Sequence, residues 1–195
     1  MGKALGVRLW MRVQHPVRRV MSRIEVSRRT FLCFQMRYVL LALFLTVSCV
    51  AETLSGRIVG VTDGDTVTLL TPENRQMKIR LYGIDAPEAR QAFGTRARQA
   101  LSSMVFSKDA KAEVRSTDRY GRTVAWLYVD GGNINEAMVQ QGFAWWYQSF
   151  AKKDTRLEEL QNEAKAARRG LWSDKAPVPP WEWRKKVPAT SSRQP

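Results

Sequence analysis

Five charged side chains between residues 65 and 122 have types and an order suited to phosphate chemistry. Asp65 ends an Asp-Gly-Asp turn, Arg80, Asp85 and Glu88 share one short segment, and Arg122 ends a Tyr-Gly-Arg sequence. Hard divalent cations prefer carboxylate oxygens, and the planar guanidinium of arginine matches phosphate oxygens and stays charged at any working pH. These residue types indicate a phosphoryl-chemistry site built from carboxylates, arginines and a hard metal ion.

Histidine and cysteine occur only in the first 49 residues. The chain has one histidine, His15, and two cysteines, Cys33 and Cys49. Cleavage after Ala51 would therefore leave a mature protein without either residue type. That composition excludes Ser-His-Asp and Cys-His catalysis, His/Cys zinc sites and disulfides from the mature domain.

The segment before Glu52 predicts export. Tyr38 to Val50 is an apolar run of 13 residues, which suits a secretory signal and is too short for a spanning helix of about 20 residues. We predict a signal peptide over residues 36–51, so that residues 1–35 are a doubtful N-terminal extension. The mature protein is then expected in the periplasm or outside the cell.

Two other interpretations of this leader stay open. The run from Leu45 to Cys49 resembles a degenerate lipoprotein site, which would anchor the protein in the envelope through Cys49. A leader that is not cleaved would act as a signal anchor. Membrane association is expected only in these two cases.

The positive charge is unevenly distributed. Of the net charge of +14, residues 1–35 carry +7, Arg37 carries one, and the chain from Glu52 onward carries +6. A phosphate-rich partner is favoured by this charge but not established by it.

Patterning from residue 56 to residue 172 predicts a small mainly β domain of the α+β class. β-Branched and alternating runs predict five strands, with a hairpin turn at Asp63–Asp65. Apolar residues at helical spacing predict about three helices packed on them. This order of elements matches a five-stranded OB-type barrel rather than a parallel sheet. The predicted segments are listed together: strands over 56–62, 66–70, 76–83, 111–114 and 122–129, and helices over 89–106, 134–141 and 155–169.

The sequence also predicts how the last helix begins and ends. Thr155 and Glu158 have capping-box spacing, and Gly170 suits the C-terminal end of the helix. Residues 174–195 form a Pro-rich basic tail, which is expected to be an extended arm with its last ten residues disordered.

The combination of motifs resembles the staphylococcal nuclease (thermonuclease) family over residues 52–173. Each motif is weak alone, since Asp-Gly-Asp and Tyr-Gly-Arg are most often simple turns. The resemblance rests on their order and spacing and on matches that continue to the Gly-Leu-Trp-Ser segment at Gly170. It implies a secreted, calcium-dependent, sugar-non-specific endonuclease. The expected substrates are single- and double-stranded DNA and RNA, cut at the 5′ P–O bond to leave 3′-phosphates.

The resemblance also implies a role for each matching residue. Asp65 and Asp85 are the implied carboxylate ligands of Ca²⁺, with the backbone carbonyl of Ala86 at a position where the family usually has threonine. Glu88 is expected to hold, and to deprotonate, the attacking water. The implied phosphate-binding pair is Arg80 and Arg122.

Other residues near these motifs also have candidate roles. Asp63 either orients water bound to the cation or only makes its turn. Tyr120 and Tyr147 are candidate substrate-binding residues, because bases of any sequence stack on aromatic rings. Trp145 and Trp146 are expected to serve mainly in the core.

Two competing functions follow from the same sequence. An OB barrel of this family can be an inactive nucleic-acid-binding module, but such domains usually lack the arginine and glutamate positions that are all present here. An envelope-anchored structural protein would explain Cys49 and the basic tail but none of the charged positions. No stable protein partner is implied, and a monomer is expected.

Overall fold

The computed structural model describes residues 52–186, and all structural statements below concern this range. The predicted signal peptide, His15, Cys33, Cys49 and the last nine residues of the tail lie outside it. None of the helices in residues 52–186 combines the length and the apolar character that a membrane crossing needs.

Five strands of five to nine residues form a closed barrel, which confirms the predicted OB-type α+β fold. The strands are β1 (Thr53–Val61), β2 (Thr66–Leu70), β3 (Gln76–Leu81), β4 (Ile84–Asp85), β5 (Asp109–Thr117), β6 (Thr123–Val129), β7 (Gly132–Asn133) and β8 (Trp145–Trp146). The barrel strands have the order β3-β2-β1-β5-β6, and an additional parallel pairing of β3 with β6 closes the barrel.

Alternation of side chains explains how the barrel separates its core from its site. On β3, Ile79 and Leu81 are buried in the barrel, whereas Arg80 between them points to the other face. The antiparallel register of β2 and β3 places Arg80 opposite Thr66, and the parallel register of β3 and β6 places it beside Val124. One arginine is therefore positioned by three strands.

Four helices pack against the barrel, one more than the sequence predicted. They are α1 (Gly94–Val105), α2 (Ile134–Gln140), α3 (Thr155–Ala166) and α4 (Pro180–Lys186), and a 3₁₀ turn covers Gly170–Ser173. The extended conformation expected for the tail is wrong over α4. Proline is favoured at a first helical position because its missing N–H needs no partner there, and Pro180 occupies that position in α4.

Two helix boundaries also differ from the prediction. Helix α1 begins at Gly94 rather than Ala89, because residues before it turn sharply and Phe93 has a positive φ of 68°. The capping box at Thr155 is wrong: Asp154 is the N-cap, and its carboxylate accepts the N–H of Leu157 at 3.0 Å. Helix α3 stops at Ala166, and Arg168 beyond it has a φ of 50°.

The buried amide of Asn135 links helix α2 to the edge of the site. Its Nδ2 donates to the carbonyl of Tyr82 at 2.9 Å, and its Oδ1 accepts the N–H of Leu127 at 3.0 Å. Asn135 is fully buried, so these bonds form away from water. They fasten the end of β3 to β6 just before the segment that carries Asp85.

Candidate active site

The turn between β1 and β2 lies directly against the segment that follows β3. A Cβ added at Gly64 would lie 2.6 Å from the Cβ of Ala86 and 2.8 Å from that of Ala97, so only glycine fits here. The carboxylate Oδ2 of Asp65 accepts the N–H of Ala86 at 2.9 Å, and the backbone N–H of Leu81 donates to the carbonyl of Asp65 at 2.8 Å. This close approach brings Asp65 beside Asp85.

The guanidinium of Arg80 joins the two aspartates. Its Nη1 forms an ion pair with Oδ1 of Asp65, and its Nη2 donates to Oδ1 of Asp85 at 2.9 Å. Asp65 and Asp85 are only 3% and 1% exposed, so Arg80 is the buried counter-charge of both. The structure brings together three of the predicted site residues at one end of the barrel.

Burial and neighbouring charges act in opposite directions on these carboxyl groups. Burial raises the pKa of Asp85, and the charge of Asp65 adds to this effect, while hydrogen bonds and charges from arginines oppose it. Burial also acts to raise the pKa of Asp65, but the charge of Arg80 and the N–H of Ala86 outweigh it and lower that pKa overall. Positive charge beside these two carboxylates is therefore favourable.

Asp63 makes the turn. Its Oδ1 accepts the N–H of Asp65 at 3.0 Å, and burial together with the charge of Asp65 raises the pKa of Asp63 to about 7. Asp63 therefore forms the turn, as one of the two interpretations predicted. It also lines the cleft described below.

Glu88 lies at the rim, in the loop between Asp85 and helix α1. A Cβ at Gly94 would overlap the backbone carbonyl of Glu88, so the start of the helix can approach this loop only as glycine. The N–H of Glu88 donates to Oε1 of Gln91 at 3.1 Å, which fixes the backbone. The side chain itself is 42% exposed and can reach solvent.

Arg122 reaches the same site from the opposite loop. Its Nε donates to Oδ2 of Asp118 at 2.8 Å, and Oδ1 of Asp118 accepts the backbone N–H groups of Tyr120 and Arg122. The Nη1 of Arg122 lies 3.5 Å from Oγ1 of Thr66, which in turn donates to Asp65 at 3.0 Å. Arg122 and the aspartates are thus linked through one hydroxyl.

All the predicted site residues line one cleft of about 720 Å³. Its walls include, among others, Asp63, Asp65, Arg80, Asp85, Ala86, Glu88, Tyr120, Arg122 and Tyr147. Carboxylates and guanidiniums facing one open volume can bind a hydrated cation and a phosphate together.

The aromatic candidates differ in their surroundings. Tyr120 is 68% exposed, and its ring lies 4.8 Å from the guanidinium of Arg119 and 5.5 Å from that of Arg122. Tyr147 faces the cleft beside the exposed ring of Phe150. Trp146 is buried, and its Nε1 donates to the carbonyl of Ala151 at 3.0 Å, which confirms its expected core role.

Two residues of the C-terminal tail complete the site and were missed in the sequence. The Nη2 of Arg184 donates to Oδ2 of Asp85 at 2.7 Å, and its Nη1 donates to Oε1 of Glu88 at 2.7 Å. The ring of Trp181 stacks on Tyr147, with centroids 5.2 Å apart and planes at 11°. No local pattern signalled these contacts, because Arg184 lies 99 and 96 positions after Asp85 and Glu88, and Trp181 belongs to a different segment from Tyr147.

The donor set fits a hard divalent cation. Asp65 and Asp85 are buried together and supply only oxygen atoms, the ligand type that Ca²⁺ prefers. Within residues 52–186 no three or more His, Cys, Asp or Glu side chains form a metal cluster. Main-chain oxygen, such as the carbonyl of Ala86, and water would therefore have to complete the coordination sphere.

An OB-type barrel with carboxylates and guanidiniums in a single cleft belongs to a class of domain suited to binding phosphate groups, and comparisons with known proteins agree with this class. The family model described as staphylococcal nuclease homologue matches residues 78–174. The chain belongs to the staphylococcal nuclease family.

Relatives that match over most of their own length support this assignment. The chain is 42% identical over 162 residues to a micrococcal nuclease of Shigella flexneri, covering 77% of this chain and 92% of that protein. It is 42% identical over 147 residues to an uncharacterized endonuclease of Haemophilus influenzae, covering 75% and 82%. Protein ParB of Escherichia coli is 42% identical over 155 residues, covering 74% and 87%. These relationships support an endonuclease.

Proposed function

We propose that this chain is a secreted, calcium-dependent, sugar-non-specific endonuclease that hydrolyses phosphodiester bonds of DNA and RNA. The observation that carries the proposal is the convergence of Asp65, Arg80, Asp85, Glu88 and Arg122 on one cleft. Attack by water on phosphorus would break the 5′ P–O bond and leave a 3′-phosphate, as the family resemblance implies.

Each side chain has a role that matches its surroundings. Glu88 is accessible and near the aspartates, so its carboxylate takes the proton from the attacking water. Arg80 and Arg122 approach from two sides of the cleft and neutralise charge that develops on the phosphate oxygens. Asp65 and Asp85 would hold Ca²⁺ with the carbonyl of Ala86. When bound, the cation supplies electrostatic stabilisation of the same developing charge.

The aromatic rings supply binding without sequence preference. Tyr120 and Tyr147 line the cleft, and stacking on aromatic rings contributes about 1–3 kcal/mol per base for single strands. Stacking does not depend on the sugar, which supports action on both DNA and RNA.

The proposal is tested by hydrolysis of single-stranded DNA, duplex DNA and RNA by the full-length protein, with Ca²⁺ or with a chelator. Glu88→Gln and Arg122→Ala are each expected to lower the rate by about 10²- to 10³-fold. The matched controls are Glu163→Gln and Arg98→Ala, which change the same charges at exposed helical positions outside the cleft.

The outcomes separate the candidate functions. Digestion that persists in chelator, or that survives both substitutions, would contradict the mechanism. Binding of nucleic acid without hydrolysis by the unaltered protein would instead identify a binding module.

Secretion is a separate part of the proposal and rests on the sequence before Glu52. N-terminal sequencing of protein recovered from the periplasm or medium should find Glu52 as the first residue. Recovery only in the membrane fraction would favour an anchor at Cys49 or an uncleaved leader.

A further inference from the structure

The C-terminal arm, residues 178–186, is fastened to the active site at three points. The Nε2 of Gln91 donates to the carbonyl of Val178, Trp181 stacks on Tyr147, and Arg184 bonds to both Asp85 and Glu88. The same loop residue, Gln91, also accepts the N–H of Glu88. The arm thus contacts the carboxylates, their loop and the ring of Tyr147, which forms the aromatic wall of the cleft.

Arg184 uses the oxygen atoms of Asp85 that a cation would need. Oδ2 of Asp85 accepts from Nη2 of Arg184 at 2.7 Å, and Oδ1 accepts from Arg80 at 2.9 Å and from Nη1 of Arg184 at 3.3 Å. Both oxygens of Asp85 are therefore engaged by guanidinium groups. Arg80 is held deep by three strands, whereas the side chain of Arg184 is 44% exposed. Arg184 is the partner that can leave.

Charge balance points in the same direction. The carboxylates of Asp65, Asp85 and Glu88 face the guanidiniums of Arg80 and Arg184. A divalent cation bound at Asp85 would supply the positive charge that Arg184 supplies in the docked arm. Two cations at one carboxylate also repel each other, so the second is bound more weakly.

We propose that Arg184 is a further active-site residue that competes with the cation for Asp85 and holds Glu88 while the arm is docked. This inference rests on the proposed calcium site. Binding of the cation releases Arg184 from Asp85, and by thermodynamic reciprocity docking of the arm weakens cation binding by the same factor. Release of Glu88 in the same movement frees the carboxylate that accepts the proton from water.

Trp181 extends the consequence to the substrate. It covers one face of Tyr147 and also contacts Trp145, with ring centroids 5.7 Å apart. A base can stack on that face of Tyr147 only after Trp181 has moved. The arm and a nucleic-acid strand therefore exclude each other from the aromatic wall.

The chain offers a matched control for Arg184 on the same helix. Lys185 carries the same charge and bonds to Glu182 at 2.8 Å, without contact to the cleft. Arg184→Gln and Lys185→Gln each remove one positive charge, so a long-range electrostatic effect would be the same in both. Only a direct competition at Asp85 distinguishes them.

Calcium affinity measured by isothermal titration calorimetry of the full chain tests the proposal. Arg184→Gln should bind Ca²⁺ about tenfold more tightly than the unaltered protein, a typical coupling factor between two linked sites. Lys185→Gln should stay within about twofold, because its charge is exposed and screened. In the unaltered protein, Ca²⁺ should also speed amide hydrogen exchange in residues 181–186, since the docked helix is released.

Equal calcium affinities of Arg184→Gln and Lys185→Gln, or weaker binding by Arg184→Gln, would overturn the competition while leaving the calcium-dependent nuclease intact. So would amide hydrogen exchange in residues 181–186 that Ca²⁺ leaves unchanged or slows. If neither the unaltered protein nor Arg184→Gln binds Ca²⁺, or if Asp85→Asn binds it as well as the unaltered protein, the calcium site itself is wrong and both ideas fail.

Discussion

The two walls of the cleft are built in different ways. On one side, Asp65 and Asp85 are almost completely buried and are bridged by Arg80, whose own side chain is 17% exposed. On the other side, Arg122 extends from an exposed loop and is held mainly by Asp118. The first wall, formed by Asp65, Arg80 and Asp85, is part of the barrel and is called the barrel wall. The second wall, formed by Arg122 and its loop, is called the loop wall.

Stability and function are therefore coupled on the barrel wall and separable on the loop wall. A buried charge that loses its partner cannot be solvated, so removal of one member of a buried pair is costly. The Arg122–Asp118 pair keeps part of its surface in water, with side chains 26% and 19% exposed, so it is screened more and contributes less to folding. Substitutions on the two walls should therefore have similar effects on catalysis but different effects on stability.

Arg80→Gln tests the barrel wall and has the largest expected effect. Asp65 would keep a buried charge without its main partner, which is expected to cost about 3 kcal/mol of unfolding free energy. The hydrolysis rate should also fall by about 10²- to 10³-fold. Urea unfolding and a hydrolysis assay on the same sample measure both quantities.

The comparison with Arg122→Gln makes this test specific. The rate should fall as much as for Arg80→Gln, whereas the unfolding free energy should change by less than about 1 kcal/mol. Equal stability losses in the two variants would contradict the distinction between the walls.

Gly64→Ala tests the packing of the barrel wall without changing any charge. The added methyl group would lie 2.6 Å from the Cβ of Ala86 and must push the turn away from the Asp85 segment. Overpacking of this kind typically costs about 1–3 kcal/mol. The variant should also lose hydrolysis, because Asp65 and Asp85 no longer lie together.

Gly132→Ala is the control for that substitution, since its nearest atom is the carbonyl of Val129 at an ordinary contact distance of 3.5 Å. It should retain nearly full activity and stability in the same unfolding and hydrolysis measurements. A Gly64→Ala variant as stable and active as Gly132→Ala would show that the close approach of the turn is not needed.

The barrel wall was predictable because local sequence patterns determine its strands and turn. Alternation along β3 separates Ile79 and Leu81 from Arg80, and the Asp-Gly-Asp turn indicates a hairpin, so the sequence predicted both the strands and the carboxylates at their ends. The family resemblance then supplied the pairing of Asp65 with Asp85. The assigned roles and the calcium ion stay predictions for the experiments above.

The arm and the helix ends were not predictable in the same way. Thr155 and Glu158 matched a capping pattern, but the carboxylate of Asp154 one residue earlier reaches the free N–H of Leu157. The fourth helix is short and follows a proline-rich stretch, and it is held by contacts to Tyr147, Asp85 and Glu88 rather than by periodicity of its own. Its position depends on the Arg184 and Trp181 contacts, which no window of local sequence contains.

Asp118→Asn tests the loop wall and has the smallest expected effect. Burial acts to raise the pKa of Asp118, but hydrogen bonds from the backbone and guanidinium of Arg122 and from the backbone of Tyr120 lower it overall from its usual 3.8. A carboxyl group with a lowered pKa stabilises the folded state above its usual pKa, and this contribution is lost as pH falls through the lowered value. The variant should therefore be less stable near pH 7, by under about 1 kcal/mol after solvent screening, and the difference should shrink below about pH 4.

The control for Asp118→Asn is Asp130→Asn, because Asp130 is 74% exposed and pairs with Lys108 at 3.0 Å outside the cleft. Unfolding of both variants is measured across this pH range, together with the Michaelis constant for single-stranded DNA. Loss of Asp118 frees the guanidinium of Arg122, so the Michaelis constant should rise for Asp118→Asn and not for Asp130→Asn. If both variants behave alike, Asp118 does not position Arg122, and the loop wall must be held by its backbone turn alone.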